Sequence, residues 1–118
     1  MNTGPYSAKV RKLFAAPAHA GHLENGTVEN LAGQDVRVCF SARAVDGSVE
    51  AVRFGAWGCP HVIAAAEMIC RQLEGGPVTD LEKFTAARIM EDLAIPTEKT
   101  GRILVLEDAV RSLGRRLD

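Results

Sequence analysis

A chain of 118 residues, 47% apolar and 25% charged, is expected to fold as a single domain over 1–118 around one modest core. A formal net charge of −1 gives no electrostatic footprint for nucleic acid or an anionic membrane, and charge interrupts every apolar run before it could cross a bilayer. Three cysteines are too few for a disulfide framework, and MNTGPYSAKV lacks the charged start and apolar core of a leader, so a reducing cytoplasm is the expected location.

In chain order, Tyr6 to Ala15 reads as a helix: Ser7 can cap it, Val10, Leu13 and Phe14 share a face, and Pro17 ends it. The stretch AHAGHLENGTVENLAGQ is rich in Gly and Asn and reads as loop with one short edge strand. Its His19 and His22 are expected to be solvated. From Asp35 the period becomes two, with Val36, Val38, Phe40 and Ala42 alternating against Arg37, Cys39, Ser41 and Arg43. Asp46-Gly47 is a hairpin signal. The returning strand SVEAVRFGAW would place Val49, Ala51 and Arg53 on one side and Glu50, Val52 and Phe54 on the other.

A helix is expected after Cys59. Pro60 suits its first position, and Val62, Ile63, Ala66, Ile69, Cys70 and Leu73 make a broad apolar stripe before Gly75-Gly76-Pro77 stops it. Thr79 and Glu82 fit a capping box, TAARIMEDL reads as a further short helix, and RILVLEDAVRSLGRRL carries Ile103, Leu106, Val110, Leu113 and Leu117 along one stripe. The fold class is therefore α+β: a small antiparallel sheet of about three strands with helices packed on one face.

Cys59 is the residue with chemistry to explain. A thiol at a helix N-cap lies beside unpaired N–H groups and the positive end of the helix dipole, which favour thiolate, the form that ligates metals and attacks electrophiles. The competing reading is a small residue filling a tight turn, and sequence chemistry leaves the two open. Cys70 lies on an apolar stripe and is expected to be a core thiol. Cys39 is expected to pack mid-strand.

YSAKVRKLFAAPAHAGHL, DGSVEAVRFGAWGCPHVIAAAEM and ILVLEDAV resemble, in the same order and register, three segments of the NifU/IscU-type iron–sulfur cluster scaffold family. The resemblance implies an IscU-like fold and a non-enzymatic role. It implies a [2Fe–2S] cluster, or zinc in its place, on three cysteines and a nearby Asp or His, with a cysteine desulfurase as sulfur donor. Carried over by position, the middle cysteine is Cys59 and the aspartate is Asp35. The first cysteine falls on Gly33, the third on Arg102, and the histidine before it on Gly101. His61 is either a replacement ligand or a polar residue at a helix start, so the implied metal set is Cys59, Asp35 and His61. With two thiolates absent, the site holds either a labile metal or no cofactor. Arg102 cannot ligate, but beside Cys59 it would favour thiolate. Ile95-Pro96-Thr97-Glu98-Lys99 stands where the family has Leu-Pro-Pro-Val-Lys. Pro96 and Lys99 are thereby implicated in binding an Hsp70-type chaperone, by a protein expected as a monomer or weak dimer.

Three functions follow. The chain is a scaffold with a divergent metal site, a cluster-free paralogue that accepts sulfur from or regulates a desulfurase, or an enzyme with a cysteine nucleophile. The third finds no His–carboxylate pair and no glycine-rich phosphate loop to support it.

Overall fold

The computed structural model describes residues 6–117; Met1–Pro5, the first part of the segment read above as lacking a leader, and Asp118 lie outside them. The first helix, α1 (Ala8–Ala15), starts where Ser7 accepts a hydrogen bond from the Val10 N–H at 3.2 Å. Val10 and Leu13 are buried, whereas Phe14, expected on the same face, is 46% exposed. α1 packs chiefly against the helix that follows Cys59, and its stripe there is narrow enough to leave Phe14 at the surface.

Three antiparallel strands follow in the order β1 (Thr27–Gly33), β2 (Val36–Val45), β3 (Ser48–Trp57). β1 is the anticipated edge strand, paired with β2 from Thr27↔Ala42 to Gly33↔Val36. Two-residue turns join the strands: Gln34 and Asp35 (φ 51° and 62°), then Asp46 and Gly47 (φ 51° and 79°). Positive φ at both central residues matches the right-handed strand twist.

Strict alternation in β3 fails. Arg43 pairs with Ala51 and Ala44 with Val49, leaving Glu50 as the extra residue of a bulge. Val49, Ala51, Val52 and Phe54 are all buried as a result, and Arg53 is only half-buried.

Val36, Val38, Phe40 and Ala42 form the covered face of β2, while Arg37 and Arg43 on the opposite face are exposed. Two long helices supply the cover: α2 (Pro60–Leu73) lies against β3, and α5 (Thr100–Arg116) against β1 and β2. Between them come α3 (Thr79–Glu82), α4 (Ala87–Asp92) and a 3₁₀ turn, Thr97–Lys99. Thr79 does not cap α3; it is the first residue inside the helix, Val78 takes the cap position, and no side chain closes a capping bond.

α5 is fastened along its C-terminal half. Glu29 on β1 accepts hydrogen bonds from the Ser112 hydroxyl and from Arg116 (2.6 Å), and Arg111 donates to the Phe84 carbonyl at 2.7 Å. Gly114 lets it approach α3, since a Cβ there would stand 2.7 Å from Leu81 Cβ. No helix among the described residues is long and apolar enough to cross a membrane.

Candidate functional site

Cys59 is placed by a sharp strand-to-helix turn. β3 ends at Trp57, and a Cβ on Gly58 would lie 3.0 Å from Val62 Cβ, so a larger residue there would push the turn against the first turn of the following helix. Cys59 then takes the extended N-cap conformation (φ −78°, ψ 169°), its carbonyl accepting from the Val62 N–H at 2.9 Å, with Pro60 at the first helical position. No capping hydrogen bond closes on the neutral thiol.

The surroundings of the sulfur are cationic. Lys99 Nζ stands 3.6 Å from Cys59 Sγ and 2.9 Å from His61 Nδ1, and it also lies 5.2 Å from the centre of the Tyr6 ring. An ammonium only donates, so His61 Nδ1 is the acceptor. The imidazole is 1% exposed, tilted against Tyr6 at 4.7 Å between ring centres. Burial, then the Lys99 charge, lowers its pKa, with Glu98 opposing, and the ring stays neutral.

Burial works to raise the Cys59 pKa. The Val62 and His61 N–H groups, Lys99 and Arg102 together outweigh it, and the thiol lies below its ordinary range. The other thiols go the opposite way. Burial pushes Cys39 up, and Cys70 is pushed far up by burial and then by Glu67 and Glu74. Of the three cysteines, Cys59 alone is poised as a nucleophile.

The positions named by resemblance converge unevenly. A Cβ on Gly33 would lie 3.6 Å from Val105 Cγ2, and one on Gly101 would lie 3.3 Å from Gln34 Oε1, so the β1–β2 turn rests on the start of α5. Arg102 lies in the first turn of that helix and helps to lower the Cys59 pKa. Asp35 is exposed at its left-handed turn position, where it borders a surface hollow with Gly33, Arg37 and Trp57. Among the described residues no three His, Cys, Asp or Glu side chains come together as a metal-holding group. Pro96 is half-buried ahead of the 3₁₀ turn, and the Lys99 ammonium, read from sequence as part of a recognition loop, is directed inward at Cys59 and His61.

Two groupings escaped the sequence reading. Tyr6 and Lys99 join the Cys59 site from opposite ends of the chain. Lys99 could have been found, because it stands three residues before Arg102 at the start of the same helix. His19 is a correction: it is not solvated. Its N–H donates to Glu67 Oε1 (2.7 Å), and its ring nitrogens lie 2.7 Å from Glu67 Oε2 and 3.0 Å from Glu74 Oε1. Arg71 reaches Glu67 at 2.8 Å and Arg53 reaches Glu74 at 2.7 Å. Glu67 is fully buried, and these partners are what make that tolerable. His22 is exposed, as expected.

Residues 5–112 match the family model described as the NifU-like N terminal domain. The iron-sulfur cluster assembly scaffold protein IscU of Buchnera aphidicola is 26% identical over 114 residues, covering 91% of this chain and 89% of that protein. IscU of Escherichia coli K12 is 25% identical over the same shares. Among solved structures, the N-terminal NifU-like protein of Brucella abortus superposes with a TM-score of 0.75 at 15% identity, covering 94% of this chain and 92% of that one. That likeness shows a shared fold.

Proposed function

Because the chain belongs to the NifU-like N-terminal domain family, we propose that it serves iron–sulfur cluster assembly as a single-thiol member, accepting sulfur at Cys59 from a cysteine desulfurase. The observation that carries this reading is Lys99 Nζ at 3.6 Å from Cys59 Sγ, a cation at the thiol where the family has further thiolate ligands, with Arg102 adding to the lowering of its pKa. The curated relatives are named as scaffold proteins, so the role is that of a carrier of cargo and not of an enzyme.

The chemistry needs no oxidant. The Cys59 thiolate attacks the outer sulfur of the donor's cysteine persulfide. The donor S–S bond breaks, a new S–S bond forms on Cys59, and the donor's inner sulfur leaves as thiolate. Lys99 and Arg102 favour the attacking anion and then the persulfide anion that replaces it. Exposed Trp57 and Gly58 leave one side of the thiol open to a partner.

A [2Fe–2S] cargo is held chiefly by thiolates, and this corner offers one, beside Gly33, Gly101, Arg102 and Lys99. The donor set does not fit that cluster. Zinc or iron on Cys59, Asp35 and His61 is the competing reading; it requires Lys99 to release His61 Nδ1 and Asp35 to leave its turn.

The test incubates the protein with a cysteine desulfurase and free cysteine and reads intact mass together with metal content. One added sulfur per chain, kept in Cys39→Ser and Cys70→Ser and lost in Cys59→Ser, supports sulfur acceptance. Stoichiometric zinc or iron that disappears in Cys59→Ser and Asp35→Ala, with no sulfur gained, overturns it in favour of the metal site. An Hsp70-type chaperone as second partner is tested by binding to a peptide spanning Ile95–Lys99.

A further inference from the structure

The amine of Lys99 has three neighbours that fix its position: the Cys59 sulfur at 3.6 Å, the His61 Nδ1 acceptor at 2.9 Å and the Tyr6 ring face at 5.2 Å. His61 is buried and Lys99 is half-buried, so this nitrogen is not a mobile surface charge that happens to pass the thiol. Among the described residues Lys99 forms no salt bridge that would draw it elsewhere. A primary amine held against a half-buried thiol has a chemistry that sulfur acceptance does not use. Once sulfur is oxidised it becomes an electrophile, and the nearest nucleophile closes on it. Cys39 and Cys70 are free thiols, and the amine of Lys99 is the nucleophile in place at Cys59.

We propose that Cys59 and Lys99 form a reversible sulfur–nitrogen cross-link under peroxide, a modification that shuts the sulfur-accepting thiol and shields it from irreversible oxidation. This rests on the reading of Cys59 as the acceptor. In the first step the Cys59 thiolate takes one oxygen from hydrogen peroxide, giving sulfenate and water. In the second, the Lys99 ammonium passes one proton to the sulfenate oxygen, and the lone pair so freed on nitrogen attacks that sulfur. The S–O bond breaks, an S–N bond forms, and the oxygen leaves as water with two of the ammonium's protons. The sum is one thiolate, one ammonium and one peroxide giving one sulfenamide and two waters, with sulfur as the reductant. A small thiol reverses the bond by attacking sulfur and returning the free amine, leaving a mixed disulfide that a second thiol reduces.

The geometry also sets what the link would do. It fills the one nucleophilic position at the start of α2 and bridges that helix to the 3₁₀ turn before α5, so the oxidised protein is both inert to persulfide and tied across two elements. The experiment treats the full chain with modest hydrogen peroxide and reads intact mass, then peptide mapping. The expected product is two hydrogens lighter than the starting protein, maps to a Cys59-containing peptide joined to a Lys99-containing one, and reverts with dithiothreitol. Lys99→Arg keeps a cation beside the thiol. Having no primary amine, it should form no cross-link and pass under peroxide to the sulfinic and sulfonic acids. Peroxide treatment of the native chain that gives only those acids, or a disulfide with Cys39, overturns the cross-link even where sulfur acceptance holds. If Cys59 accepts no sulfur but the cross-link forms, the acceptor reading fails and the modification stands.

Discussion

The two ends of α2 carry polar clusters built on opposite plans. Toward its C-terminus, Glu67 and Glu74 are matched by His19, Arg53 and Arg71, so acid and base are paired and a fully buried carboxylate is tolerated. At its N-terminus, Cys59 faces Lys99 and Arg102 around a neutral imidazole, and among the described residues neither cation has a carboxylate in a salt bridge. A charge-balanced cluster is complete and serves stability. A cluster with surplus positive charge around one ionisable sulfur is incomplete until an anion forms there, which is the condition for reactivity.

The contrast breaks first at Glu67. Glu67→Ala removes the centre of the balanced cluster and should cost about 3 kcal/mol in urea unfolding, since it takes away a fully buried side chain and leaves the half-buried His19 without its closest partner. The alkylation rate of Cys59 in the folded fraction should be unchanged. A large loss of thiol reactivity there would merge the two clusters into one.

The converse substitution is Lys99→Met. Alkylation of Cys59 at neutral pH should slow several-fold and its rise with pH should move upward, because one of the groups lowering the thiol pKa is gone. Unfolding should become easier by about 1 kcal/mol, less than at Glu67, because the buried His61 Nδ1 loses its donor but no buried ion pair is broken.

Acid pH sharpens the same division. Glu67 and Glu74 lie below the ordinary carboxyl value of 4.5: burial raises each, and the bonds from His19, with Arg71 on Glu67 and with the Val52 N–H and Arg53 on Glu74, overcome it. Glu29 is lowered first by Ser112. A depressed carboxyl stabilises the fold fully above its unfolded value and loses that contribution as pH falls through the folded one. Urea midpoints should therefore hold above 4.5 and fall below it, and the fall should flatten in Glu67→Gln with Glu74→Gln. The smallest effect is expected at Asp35, where Asp35→Ala should leave sulfur acceptance intact. Loss of acceptance would return this turn residue to the site.

Much of the fold was legible because it is governed by local periodicity. Pro60 after Cys59, the alternation over Val36–Ala42 and the Asp46-Gly47 turn each place an element within a few residues. The β1–β2 hairpin was harder to see: its Gln34-Asp35 turn takes positive φ without a glycine, so the usual signal is missing. The Glu50 bulge was hidden for a related reason, since an extra residue in a strand is recorded in its partner's register and not in its own pattern.

Of the site, the sequence by itself determined that Cys59 would begin a helix, with backbone N–H groups and the helix dipole favouring its thiolate. Through family positions it also determined that two further thiolates are absent at Gly33 and Arg102. Tertiary structure alone decided what stands beside the sulfur. Lys99 is 40 residues away in sequence and Tyr6 lies near the chain's start; His19 and Glu67 are 48 apart. Local propensity acts over a few residues, whereas the charge environment of a side chain is set by whatever the packing of α1, α2 and α5 brings within a few ångströms. The reactivity of Cys59 and the burial of Glu67 both belong to that second kind of information.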